Sequence, residues 1–235
     1  LLGIVQTDIK RVVAYSTLSQ LGYMVAGLGS SAFAASMFHL FTHACFKALL
    51  FLAAGAVIVA MHHEQDMRKM GRLAKKMPIT YLCFLIGALT LVAIPPSAGF
   101  YSKDSIIDAV HNATMPGASY AYYCLLAGVF VTGLYIFRAF FLVFHGKDSS
   151  DPSLHPKEVD AVMWWPLVIL AVASLVIGAV LIKPLLIDPN GWFGQTLYVY
   201  APYNSLRELI SAYQGPGQMA LHALTSVALW LGVLG

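Results

Sequence analysis

Charge is what this chain has least of. Only 11% of its 235 residues are Asp, Glu, Lys or Arg, and 59% are hydrophobic; a soluble globular domain carries roughly 25% charged residues. That deficit, with a mean hydropathy of +0.73, excludes soluble open-sheet and barrel enzymes and points to a polytopic membrane protein. Cysteine is scarce too. Cys45, Cys83 and Cys124 all lie in apolar runs, without a Cys-x-x-Cys or metal-ligand spacing, and read as buried free thiols. No phosphate loop, dinucleotide fingerprint, haem-type cysteine pattern or repeat of 20–50 residues occurs, so no cofactor is expected. The basic residues stand in short loops beside apolar segments, which gives nucleic-acid binding no support. The chain begins at Leu1, with neither an initiator Met nor the charged leader of a signal peptide, and is expected to start inside a longer protein.

What is there is a series of apolar segments, each near the roughly 20 residues that span a bilayer. They predict an all-α membrane protein, a bundle of about six transmembrane helices at about 8–29, 32–61, 78–113, 119–145, 161–183 and 216–235. The third is interrupted by "VAIPPSAGF", which places a break at Pro95–Gly99, because proline removes backbone donors and disfavours helix in the residue before it. With alternate crossings, Lys10, Arg11, Arg68, Lys69, Arg72, Lys75, Lys76, Lys147 and Lys157 fall on one face and Lys183 and Arg207 on the other. The positive-inside rule then puts the N-terminus on the cytoplasmic side, with 62–77 a cytoplasmic loop. An outer-side loop at about 184–215 contains "YNSLRELISAY", which has weak helical periodicity.

Ionisable groups inside such spans need a reason, because each costs on the order of 2.5–3.5 kcal/mol at the bilayer centre. In "FHLFTHACFKALLFLAAG", His39, His43 and Lys47 recur at i, i+4 and i+8, on one helix face over about 12 Å of rise. Histidine exchanges protons near neutral pH, so the row reads as a proton relay. The plainer alternative is that these side chains only bond helix to helix, as polar residues in bundles do. Lys103 follows the break in "GFYSKDS"; Ser102 is read as the N-cap of the second half-helix, with Lys103 in its first turn. Asp104 is expected to face away from Lys103, supporting the helix N-terminus or pairing with another chain. Ser16 and Gln20 share a face of the first helix, as bonding partners or as lining for a water wire. Arg138 is expected to snorkel to the headgroups, and His222 to be structural. His62 and His63 precede Glu64 and Asp66 without ligand spacing, so no metal is expected.

The segments "QTDIKRVVAYSTLSQLGYM" (6–24), "FHLFTHACFKALLFLAAGAVI" (38–58), "HHEQDMRKMG" (62–71) and "AGFYSKDSII" (98–107) together resemble the subunit L family of bacterial NADH:quinone oxidoreductase, respiratory complex I, over essentially the whole chain. The resemblance implies a fold of two inverted five-helix repeats, each with a broken helix. Residues 1–145 would form most of the second repeat of this antiporter-like fold, and 146–235 further transmembrane helices. It also implies that His39, His43 and Lys47 belong to a central hydrophilic axis and that Lys103 stands near its outer exit, with Asp104, Ser16, Gln20 and Asp8 as supporting polar groups. Implied partners are protons, the lipid bilayer and other membrane-arm subunits, especially a neighbouring antiporter-like one, in the bacterial inner membrane. The chain itself would bind no NADH, flavin or iron–sulfur cluster and do no redox chemistry. A Mrp-type Na⁺/H⁺ antiporter subunit, which shares the fold, is the alternative, and a purely structural scaffold is a third reading. Two positions depart from the family pattern: Ser105 stands where an acidic residue often follows "SKD", leaving the carboxylate partner of Lys103 open, and Arg72 replaces the second glycine of "MGGL".

Overall fold

The computed structural model describes residues 1–147, 156–188, 191–193 and 196–235. The helices are α1 (Leu2–Val5), α2 (Ile9–Gly29), α3 (Phe33–Ala60), α4 (Leu73–Lys76), α5 (Pro78–Val92), α6 (Ala98–His111), α7 (Ala118–Phe144), α8 (Ala161–Ile182), α9 (Arg207–Ala212), α10 (Pro216–His222) and α11 (Val227–Leu234). Among the described residues there is no β-strand; Asp8 and Asp66 form an isolated bridge. Residues 148–155, between the fourth and fifth predicted spans, and 189–190 and 194–195 of the predicted outer loop, lie outside the described residues.

Three helical segments among the described residues are long and apolar enough to cross a membrane: Phe33–Ala60, Ala118–Phe144 and Ala161–Ile187. A fourth joins Pro216–Thr225 to Val227–Leu234 across a 68° bend. The third predicted span is interrupted, as expected, and forms two shorter helices, α5 and α6. The sixth, expected to be continuous, is the bent pair. Its bend falls at Ser226, whose side chain accepts from the Ala228 amide at 3.2 Å and caps α11. The first predicted span is α2, 21 residues long but too polar to meet the same standard. Its buried stripe contains Ser16 and Gln20, so it is polar towards the protein.

α2 and α3 run antiparallel: Ser36 bonds the Met24 carbonyl and Lys47 bonds the Val13 carbonyl. α8 packs against α3, α5 and α6, and α7 against α5, α6 and α11. Two apolar clusters divide the interior. One gathers Ile9, Val13, Leu50, Phe84 and Phe140 with the loop residues Met67 and Met70. The other gathers Tyr23, Phe38, Phe100, Ile106, Leu125 and Ile182. Along α2 and α3 the buried polar residues Ser16, Gln20, His39, Thr42 and His43 lie between these clusters. Of the cysteines only Cys83 is buried; Cys45 is half-buried and Cys124 exposed, all as free thiols. The expectation of three buried thiols fails because the α7 stripe carrying Cys124 faces outward.

The break lies at residues 93–97, slightly before the predicted Pro95–Gly99. Ala93 adopts a left-handed conformation (φ 74°) and ends α5, its amide turning back to Thr90 O at 3.1 Å. Ser97, not Ser102, is the N-cap of α6: its hydroxyl accepts from the Phe100 amide at 3.4 Å. Proline accounts for the shift, since the chain leaves helix ahead of Pro95 and re-enters at the first free Ser after Pro96.

The segment 62–77 collects at one end of the bundle with the start of α2. The Ile9 amide donates to Gln65 O at 3.1 Å and the Met67 amide to Thr7 O at 2.8 Å. Asp66 takes a two-pronged bond from Arg68 (2.6 and 3.0 Å), and Lys69 meets Glu64 at 2.9 Å. Those guanidinium bonds hold the Asp66 carboxyl well below the usual carboxylate range, and the Asp66 amide lowers Glu64. Arg138 also departs from its expected place: its guanidinium donates to Gln6 O at 2.8 Å, a protein carbonyl rather than headgroups.

Arg72 sits at φ 51°, in the left-handed region that costs an L-residue roughly 1–2 kcal/mol. This explains a glycine preference at the position. Arg72→Gly is therefore expected to stabilise the protein by about 1 kcal/mol after the extra entropy of an unfolded glycine is subtracted, read as a raised Tm in detergent.

Candidate functional site

The predicted row exists as one buried stripe of α3: His39 is 0% exposed, Lys47 4% and His43 7%. Each end of it is bonded to the polar face of α2. Lys47 Nζ donates to Val13 O at 2.8 Å and to Ser16 Oγ, and the Phe51 ring lies 5.7 Å away. His39 Nε2 lies 3.1 Å from Gln20 Oε1. The antiparallel packing makes this matching necessary: moving up α3 from 39 to 47 moves down α2 from 20 to 16.

His39 also reaches the broken helix. Its Nδ1 lies 2.9 Å from Ser102 Oγ, which is 2.6 Å from Thr42 Oγ1. Imidazole has one donor and one acceptor nitrogen when neutral, so Gln20, His39, Ser102 and Thr42 form a chain with two directions. With Gln20 Oε1 accepting, His39 Nδ1 accepts from Ser102. With the Gln20 amide turned, both bonds at His39 reverse. Such a chain can pass a proton and be reset by rotation of hydroxyl and amide groups.

His43 stands between these two bonded groups without joining either. Its ring is 6.0 Å from His39 and edge-on to Phe46 at 5.3 Å, and its Nε2 is buried without a protein partner, as is Gln20 Nε2.

Lys103 is 1% exposed and lies beyond Ser102. It is six residues into α6 rather than in its first turn, so the expected placement at the positive end of that helix is wrong. Its Nζ instead reaches back to Leu91 O at 3.4 Å, at the C-terminal end of α5, and lies 4.7 Å from the Tyr23 ring. The break frees carbonyls that have no helical partner, and the lysine bonds one of them at the negative end of a helix dipole. Among the described residues neither Lys47 nor Lys103 belongs to an ion pair; the pairs join Arg11 to Asp8, Arg68 to Asp66 and Lys69 to Glu64.

Asp104 is too far into α6 to cap it, and it lines a cavity at the end away from the basic loop. Asp8 is not brought to the row: it caps α2 by accepting from the Arg11 amide at 3.0 Å. Three contributors escaped the sequence reading: Thr42, Tyr23 and the bonding role of Ser102. Tyr23 continues the α2 face of Ser16 and Gln20 at helical spacing, which was a usable signal. Among the described residues no group of three His, Cys, Asp or Glu side chains is placed to hold a metal.

Residues 1–132 match the family described as NADH:quinone oxidoreductase/Mrp antiporter, TM. The chain belongs to that family. Similar proteins named NADH-quinone oxidoreductase subunit L occur in Neisseria meningitidis (47% identical, covering 100% of this chain and 37% of the relative) and in Escherichia coli (50% identical, 78% of this chain and 29% of the relative). Another in Pseudomonas aeruginosa is 48% identical over 78% of this chain and 29% of its own length. The chain thus spans about a third of the length of these relatives. Membership and the apolar helices together make it a multi-pass membrane protein, with the antiporter-like helical architecture expected from the sequence. The break lies between α5 and α6, and the row on α3 ends against α6 at Ser102.

Proposed function

We propose that this chain is the proton-carrying part of a membrane-arm subunit of NADH:quinone oxidoreductase. Protons move along Lys47, His43, His39 and Lys103, driven by quinone reduction elsewhere in the complex. Ser16 holds Lys47, and Gln20 and Ser102 orient His39; Asp104 takes over beyond Lys103. Asp8 serves as a helix cap outside the path. Residues 1–145 act as the second repeat of the antiporter-like module, and 146–235 add further membrane helices. The basic end faces the cytoplasm of a bacterial inner membrane. Neighbouring membrane-arm subunits, one of them antiporter-like, deliver the driving signal, and no redox step occurs in this chain. The observation that carries this reading is the buried series of bonds from Gln20 through His39 to Ser102, the residue next to Lys103. A buried row serving only to hold helices together has no need of two unpaired lysines, each costly in a bilayer.

The family description covers Mrp antiporter proteins as well as NADH:quinone oxidoreductase, and so carries the Mrp-type alternative. Sodium separates them. Vesicles containing the whole complex are expected to acidify on quinone reduction in sodium-free medium at the same rate as with sodium. An absolute sodium requirement, or exchange without quinone reduction, would favour the antiporter reading.

A further inference from the structure

A cavity of about 450 Å³ opens at the end of the bundle opposite the basic loop, between α6 and the α9–α11 segment. Asp104, Asp108, Tyr213, Gln218 and His222 are among the residues lining it. A second space of about 10 Å³ touches Lys103 and shares Asp104, Ile107, Ala223, Ser226 and Ala228 with the first. Its size suits about one water molecule. Lys103 is therefore separated from the large cavity by a one-water gap bordered by a carboxylate. Asp104 and Asp108 stand at i and i+4 on α6, on one face and about 6 Å apart along the axis. His222, at the end of α10, forms part of the opposing wall.

We propose that Asp108 and His222 are the last protein groups on the outward proton path, and that this cavity is its aqueous mouth. The proposal rests on the proton-path reading above and extends it past Lys103. The Lys103 ammonium gives a proton through the single-water gap to the Asp104 carboxylate, leaving an amine and a carboxylic acid. Asp104 passes that proton to Asp108 and becomes a carboxylate again. Asp108 and the His222 imidazole release it to water in the cavity, so one proton enters, one leaves, and no co-reactant is needed. The titratable groups facing Asp108 are Asp104 and His111 on its own helix, Tyr122 on α7, Tyr213 just after α9 and His222 on α10. The His111 ring packs 4.6 Å from Tyr122. Asp104 thus fills the place left open by Ser105, and His222 is assigned a role that its isolation in the sequence hid.

The test uses the whole complex with Cys45, Cys83 and Cys124 replaced by alanine. Asp108→Cys and His222→Cys are expected to react with a membrane-impermeant maleimide from the face opposite the basic loop and from that face only. Labelling from neither face, or from the basic-loop face, overturns the proposal. A second arm measures protons translocated per quinone reduced. Asp108→Asn is expected to lower the ratio about tenfold in the share carried by this chain, and Asp108→Glu to restore it. An unchanged ratio in Asp108→Asn, in a complex where Lys47→Ala abolishes that share, overturns this proposal and leaves the inner path standing. The labelling arm reads water access alone and so does not depend on Lys47 moving protons.

Discussion

Lys47→Ala is expected to cut proton flux through this chain by about 100-fold or more, the scale at which a positioned acid–base group contributes, and Lys47→Arg is expected to do nearly as much. The arginine variant carries the argument. Its guanidinium keeps the positive charge and can still donate to Val13 O and Ser16, the two partners of Lys47. It does not deprotonate in proteins. If Lys47 served as a fixed charge or a helix tie, arginine would preserve function; if it must release and regain a proton, arginine blocks the path. Lys47→Ala alone is less clean, since it leaves a hole beside the Ser16 hydroxyl and the Val13 carbonyl, which keep their bond to each other at 2.8 Å. Assembly of the complex therefore has to be measured beside protons translocated per quinone reduced.

Gly99→Ala is expected to be the most damaging change to the fold. A methyl group at Gly99 would sit 1.9 Å from Thr90 O, at the close approach of the two half-helices. The obstructing atom is backbone, so no side chain can rotate away, and the half-helices must separate. Overpacking of this kind costs about 3 kcal/mol. The damage reaches the site directly, because Lys103 Nζ on α6 bonds Leu91 O on α5. α8 adds a second constraint: a methyl at Gly178 would lie 2.5 Å from the Ala98 Cα. Lowered Tm in detergent and reduced assembly are the readouts for Gly99→Ala. Ala93→Gly, which relieves a left-handed alanine at φ 74°, should by contrast be tolerated.

The row was legible in the sequence because its chemistry stands out against its surroundings. Three ionisable groups at helical spacing in an apolar run have few explanations, and the prolines at 95 and 96 announce a break wherever they fall. What completes the site was not legible. His39 is bonded to residues 19 and 63 positions away, and only the antiparallel packing of α2 on α3 and the return of α6 beneath them bring these together. The cap lies at Ser97 rather than the expected Ser102 because the backbone re-enters helical geometry directly after Pro96, earlier than the lysine motif suggests. The bend at Ser226 was more accessible, since a serine before an apolar run is a helix-start signal. It was masked by the continuous hydrophobicity of 216–235. The link from Lys103 to Asp108 and His222 depends on α10 folding back over α6, and no local pattern encodes that.

The central claim is that Lys47 and Lys103 lie on one path in series, joined through His43, His39 and Ser102. Protons translocated per quinone reduced, measured in vesicles for Lys47→Ala, Lys103→Ala and the double variant at equal assembly, test it most directly. Steps in series make the losses non-additive, so the double variant is expected to match either single variant. If each single variant removes only part of the flux and the double removes the sum, the lysines serve separate routes and the account is contradicted.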